Sequence, residues 1–122
     1  MKKIYAFIAI AMLVITLGCN RNEGNQSITV NIDEKGYAFS AQYPKHKTSR
    51  VVTYIEKTLK QEDFFYSSDG VKNERVTLSD SSRFNITSEP GRLKINFNKR
   101  DNTEIAYQKL VALCKGIKGE LK

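Results

Sequence analysis

Ser27-Ile28-Thr29-Val30-Asn31-Ile32, then Asp33-Glu34-Lys35-Gly36, then Tyr37-Ala38-Phe39-Ser40-Ala41-Gln42-Tyr43: this stretch decides the fold. Ile28, Val30 and Ile32 fall on one side of an extended chain, Thr29 and Asn31 on the other. After four turn-forming residues the alternation resumes, with Tyr37, Phe39, Ala41 and Tyr43 against Ala38, Ser40 and Gln42. Two period-two runs joined by a glycine-containing turn predict a β-hairpin, and Pro44 ends it. Strands with one apolar and one polar side build a sheet with one covered and one wet face. The rest of the chain has to supply the cover.

Over 49–61 the period changes. Val52, Ile55 and Leu59 recur at helical spacing, flanked by Val51 and Thr58, which predicts an amphipathic helix. Thr48 or Ser49 is placed to cap it. The aromatic run Phe64-Phe65-Tyr66 suits a short strand. Three further alternating runs follow, over 74–78, 83–88 and 92–98, separated by Ser79-Asp80-Ser81-Ser82 and Glu89-Pro90-Gly91. These separators are turn formers, so the runs read as an antiparallel meander. A last helix is expected over 103–115, with Asp101 and Glu104 at capping-box spacing. Its apolar face is Ile105, Ala106, Leu110, Leu113, Cys114 and Ile117, and Gly116 and Gly119 mark its end. The order β-β-α-β-β-β-β-α predicts an α+β two-layer sandwich, mostly antiparallel, with both helices on one face.

The start of the chain has a different character. Lys2 and Lys3 precede an uncharged stretch over 4–17, and Gly18 and Cys19 close it before a polar segment. A membrane span needs ~20 apolar residues, so this stretch has the length of a signal-peptide core instead. The pattern Ile15-Thr16-Leu17-Gly18-Cys19 resembles the signal peptide of bacterial lipoproteins over residues 1–19. Thr16 stands where that family usually has leucine. The resemblance implies cleavage between Gly18 and Cys19, and lipid on the Cys19 thiol and amine. Asn20 in place of aspartate favours, by the same resemblance, the outer membrane facing the periplasm where the organism has one. The expected organisation is a signal peptide over 1–18, a lipidated cysteine and flexible tether over 19–26, and one α+β domain over 27–122.

The chain carries 20 Lys and Arg against 13 Asp and Glu, a formal net charge of +7. Loss of Lys2 and Lys3 with the leader leaves +5. That surplus lies in the last third, in Arg92, Lys94, Lys99, Arg100, Lys109, Lys115, Lys118 and Lys122. An envelope location argues against nucleic acid and for anionic lipid or an acidic protein. With Cys19 lipidated, Cys114 has no partner for a disulfide, so the core has to hold the fold.

Constellations for chemistry are sparse. His46 is the only histidine and stands between two lysines. Cys114 lies on an apolar helical stripe, where a thiol acts as a small hydrophobe. The acidic pairs Asp33-Glu34 and Glu62-Asp63 fall in connections. Asp69-Gly70 lacks the alternating ligands of a calcium loop. No catalytic residue, metal or cofactor is expected. Phe64, Phe65 and Tyr66 cannot all face one core if they alternate, so at least one is a candidate anchor for a partner. The wet face, with Thr29, Asn31, Ser40, Gln42, Thr77, Asn85, Thr87, Lys94 and Asn96, is a second candidate surface, and an edge strand is a third. The expected protein is a non-enzymatic, membrane-anchored lipoprotein that binds an envelope protein. The alternatives are an envelope-maintenance protein touching anionic lipid or wall polymer through its basic last third, and an inhibitor or immunity-type protein.

Overall fold

The computed structural model describes residues 26–65, 67 and 69–122. The expected leader, Gly18, Cys19 and the tether up to residue 25 lie outside the described residues, as does Tyr66. Five strands form one antiparallel sheet: β1 (Ser27–Ile32), β2 (Gly36–Gln42), β3 (Lys72–Thr77), β4 (Arg83–Glu89) and β5 (Arg92–Asn98), in the spatial order β1-β2-β5-β4-β3. Two helices, α1 (Thr48–Leu59) and α2 (Glu104–Glu120), pack against each other over one face. The protein is an α+β two-layer sandwich.

Alternation explains the sheet. Phe84, Ile86, Leu93, Ile95 and Phe97 are buried on one side, and their neighbours Asn85, Thr87, Lys94 and Asn96 are exposed on the other. The hairpin between β4 and β5 turns at Pro90-Gly91. Gly91 takes a left-handed φ of 83°, which costs a residue without Cβ nothing. Val51, Val52, Ile55 and Leu59 of α1 are buried, as are Leu110, Leu113, Cys114 and Ile117 of α2. Each of these residues has another of its stripe three or four positions away (51/55, 52/55, 55/59; 110/113, 110/114, 113/117, 114/117), so one helical face meets the sheet.

Several local expectations need correction. No strand forms at Phe64-Phe65; the described chain turns there. Thr48 does not cap α1. It is the first helical residue, is buried, and its hydroxyl accepts the Gly91 N–H at 3.0 Å. A short 3-10 turn, Lys45–Lys47, leads into the helix instead. Asp101 does not cap α2: Thr103 is the N-cap, and its hydroxyl accepts the Ala106 N–H at 3.1 Å. Asp101 is held by the Arg75 guanidinium at 2.9 Å. Ile105 stands 83% exposed, and Tyr107 is buried in its stead against Phe97.

The helix α2 also runs past the glycine expected to end it. Gly116 sits inside it because a Cβ there would strike the Tyr54 ring of α1. A Cβ at Gly119 would meet nothing within 4 Å. Alanine at each site is therefore expected to act with opposite sign. Gly119→Ala should stabilise by about 1 kcal/mol through helix propensity alone. Gly116→Ala should lose a net ~1–2 kcal/mol, because overpacking outweighs the same gain. Thermal melts of the two single variants check this.

Candidate functional site

The first strand decides where the molecule can bind. Ile28, Val30 and Ile32 share the covered side with their partners Ala41, Phe39 and Tyr37. Cover fails along the strand. Ile28 still packs on the core, but Val30 is 37% exposed and Ile32 66%. The geometry of α2 explains this. Its C-terminal end reaches the start of β1, where the Gln26 side-chain amide donates to the Leu121 carbonyl at 2.6 Å. Its N-terminal half lies towards β4, where Lys109 pairs with Asp80 and Asn102 bonds the Arg83 main chain. The helix thus crosses the sheet obliquely and leaves the far half of β1 bare.

The main chain of β1 is also open on one side. Asp33 N–H donates to the Gly36 carbonyl at 3.0 Å, which makes that pair hydrogen-bonded across the hairpin. Alternation along an antiparallel ladder then turns the N–H and C=O groups of Ile28, Val30 and Ile32 outward. Among the described residues no strand pairs with that edge. The opposite edge, β3, differs. It carries Lys72, Glu74 and Arg75, the charges by which edge strands resist pairing. Ser27–Ile32 has no charge, no proline and no bulge.

Two of the aromatic candidates, Phe64 and Phe65, are not exposed. Phe64 and Phe65 are both buried, with ring centroids 5.0 Å apart edge to face. A turn replaces the strand, so adjacent residues can enter one core. Its polar groups are met from a distance: Phe65 N–H donates to the Glu56 carboxylate at 3.0 Å, and the Lys72 ammonium donates to the Phe64 carbonyl at 2.8 Å. Lys72 is only 7% exposed, pairs with Glu74 at 2.8 Å, and lies 4.5 Å over the Phe64 ring. Lysine is rarely buried without such partners. Phe64 and Phe65 as placed offer no anchor to a partner.

The wet face holds its polar residues as expected, with Ser40 half-buried and the other eight exposed. Two side-chain bonds cross strands on it: Asn85 donates to Asn96 at 3.0 Å and Thr87 to Asn73 at 3.2 Å. The basic last third does not gather into one patch. Arg92 and Lys94 lie on the wet face, Lys99 and Arg100 follow the end of β5, and Lys109 is paired with Asp80. Lys118 and Lys122 lie at the opposite end of the molecule, at the close of α2.

The residues with potential for chemistry stand apart. His46 is exposed in the 3-10 turn. Cys114 is fully buried, and desolvation pushes its thiol up to about 12, so it stays protonated and unreactive. Asp33 accepts the N–H groups of Gly36 and Lys35, which hold its carboxyl below the usual range. Asp69 accepts from the Ser67 hydroxyl and the Val71 N–H, again as a turn residue. An open hollow along the outer face of α1 is lined by Thr53, Glu56, Lys57, Lys60 and Glu62. Among the described residues no three His, Cys, Asp or Glu side chains come together as a metal site, and no helix is long and apolar enough to cross a membrane. No family model, curated protein or solved structure matches this chain.

Proposed function

We propose that the chain is a lipid-anchored, non-enzymatic accessory protein of a bacterial envelope, and that it captures an extended segment of another envelope protein along β1. The observation that carries this reading is the bare, uncharged edge at Val30 and Ile32, beside an opposite edge that is guarded by charge. An added strand would bond the outward main chain and cover the two side chains together, which gives affinity and register at once. The anchor rests on the leader pattern that ends at Cys19. Exposure of the stripe increases away from Gln26, so an occupant would meet the strand on the side away from the tether.

A photo-cross-linking residue in place of Ile32 tests this in the native envelope, with the same residue in place of Arg75 on the guarded edge as control. The expected result is a cross-link from position 32 to one partner segment with alternating apolar residues. Cross-links to a second copy of the chain alone, or none above the control, overturn the reading.

A further inference from the structure

The end of the molecule where the chain enters the fold is built differently from the other end. Gln26 is bound there from two sides: its side chain donates to the Leu121 carbonyl at 2.6 Å and accepts from Lys47 Nζ at 3.0 Å. Lys47 Nζ also reaches the Leu121 carbonyl at 3.1 Å. Arg50 donates to the neighbouring Glu120 carbonyl at 3.3 Å. The start of the domain is thereby fixed to the last turn of α2 and to the turn before α1.

Positive charge surrounds that point. Lys45, Arg50, Lys118 and Lys122 are all exposed, and they come from two separate stretches of the chain, 45–50 and 118–122. Acidic side chains stand at this end too: Glu120, Glu89, which is paired with Arg92 at 3.6 Å, and Asp69 beside Gly70, which packs near Thr48 and Ser88. The far end, around the β1–β2 and β3–β4 turns, mixes signs: Asp33, Glu34, Asp80 and Asp101 stand among Lys35, Arg83, Lys99 and Lys109. Sequence order hides this collar, since half of it comes from outside the basic last third.

We propose that this collar seats the domain on a membrane surface rich in anionic lipid headgroups, with β1 extending outward from it. The proposal rests on the anchored reading above, because the collar surrounds the residue that would follow the tether. The seven residue steps from Cys19 to Gln26 span at most ~25 Å, so an anchored domain stays near the headgroups. Exposed cations of this kind are drawn to such a surface within about a Debye length, ~8–10 Å. Held by the collar, the domain does not tumble on its tether, and the edge of β1 runs away from the bilayer where a partner strand can reach it.

Amine footprinting of the full chain in its membrane-anchored form tests this. The protein is reconstituted through its own anchor into phosphatidylcholine vesicles, with or without ~30% phosphatidylglycerol, and its lysines are acetylated and read by mass spectrometry. Lys45 and Lys122 are expected to label about fivefold more slowly on the anionic vesicles, while Lys35 and Lys99 at the far end label equally on both. The protection should vanish in ~0.5 M salt, and should be lost in Lys45→Gln with Lys118→Gln at the remaining collar lysine, Lys122. Equal labelling of Lys45 and Lys122 on a chain that floats with both vesicles overturns the collar and leaves the anchor standing. A chain that floats with neither overturns the anchor, and the collar with it.

Discussion

Phe64→Ala is expected to cost about 3–5 kcal/mol of stability, a large share of the total for a small domain. The ring is buried, lies edge to face on Phe65 and stacks 6.2 Å from Phe84 of β4. The Lys72 ammonium lies over the ring, 4.5 Å from its centroid. Truncation therefore opens a cavity and removes the face that a nearly buried cation rests on. That cation would keep its bond to the Phe64 carbonyl but lose the ring that shields it. Chemical denaturation should show the loss with an unchanged m-value, and the melting temperature should fall by roughly 15–30 °C. Phe64→Leu, which retains most of the volume but forfeits the ring contacts, should lose about 1–2 kcal/mol. A loss below ~1 kcal/mol for the alanine variant would show that the ring is not seated in the core.

The same residues mark where local sequence stops being informative. Three adjacent aromatics have strand propensity, and propensity favoured a strand. Long-range polar contacts overrode it. The Phe64 carbonyl and Phe65 N–H, which a strand would have given to a ladder, are taken by Lys72 and Glu56, eight and nine residues away. Nothing in the 64–66 stretch itself marks those partners. The caps failed for a related reason. Asp101 has the right spacing for a capping box, but Arg75, from another strand, occupies it, and Thr103 takes the role two residues later. At Gly116 the local signal is that of a helix stop, whereas the missing side chain makes room for Tyr54.

The sheet itself was legible, because each strand is wet on one face and the sorting of Thr29, Asn85 and Thr87 from Ile86 and Leu93 is a period-two pattern. The covered faces of both helices were legible for the same kind of reason. Strand order was not. The two edges, β1 and β3, are set by β5 pairing with β2, a contact that spans more than fifty residues at Gly36 and Asn98. Alternation places Val30 and Ile32 on the side of Phe39, yet says nothing about whether a helix reaches that far. The candidate docking edge therefore arises where a correct local pattern meets an oblique helix.

Val30→Lys with Ile32→Lys is the decisive change for that edge. The fold should barely respond, with a stability change within about 1 kcal/mol, because Ile32 is mostly in water and Val30 more than a third exposed. Binding should respond strongly. A strand docking against β1 would have to desolvate two ammonium groups with no acid on the neighbouring Phe39 or Tyr37 to receive them. Inward-facing charge on an edge is how sheets refuse a further strand. With the partner segment recovered by cross-linking made as a labelled peptide, the affinity is expected to fall by at least ~100-fold, about 2.7 kcal/mol. Arg75→Ala on the guarded edge should leave it within about twofold, the range expected for a site the peptide does not touch. The unmodified chain should hold the peptide nearly as well in moderate salt, since the contact is apolar and main-chain rather than ionic. Peptide binding that survives both lysines, or that weakens more with Arg75→Ala, would move the docking surface off β1 altogether.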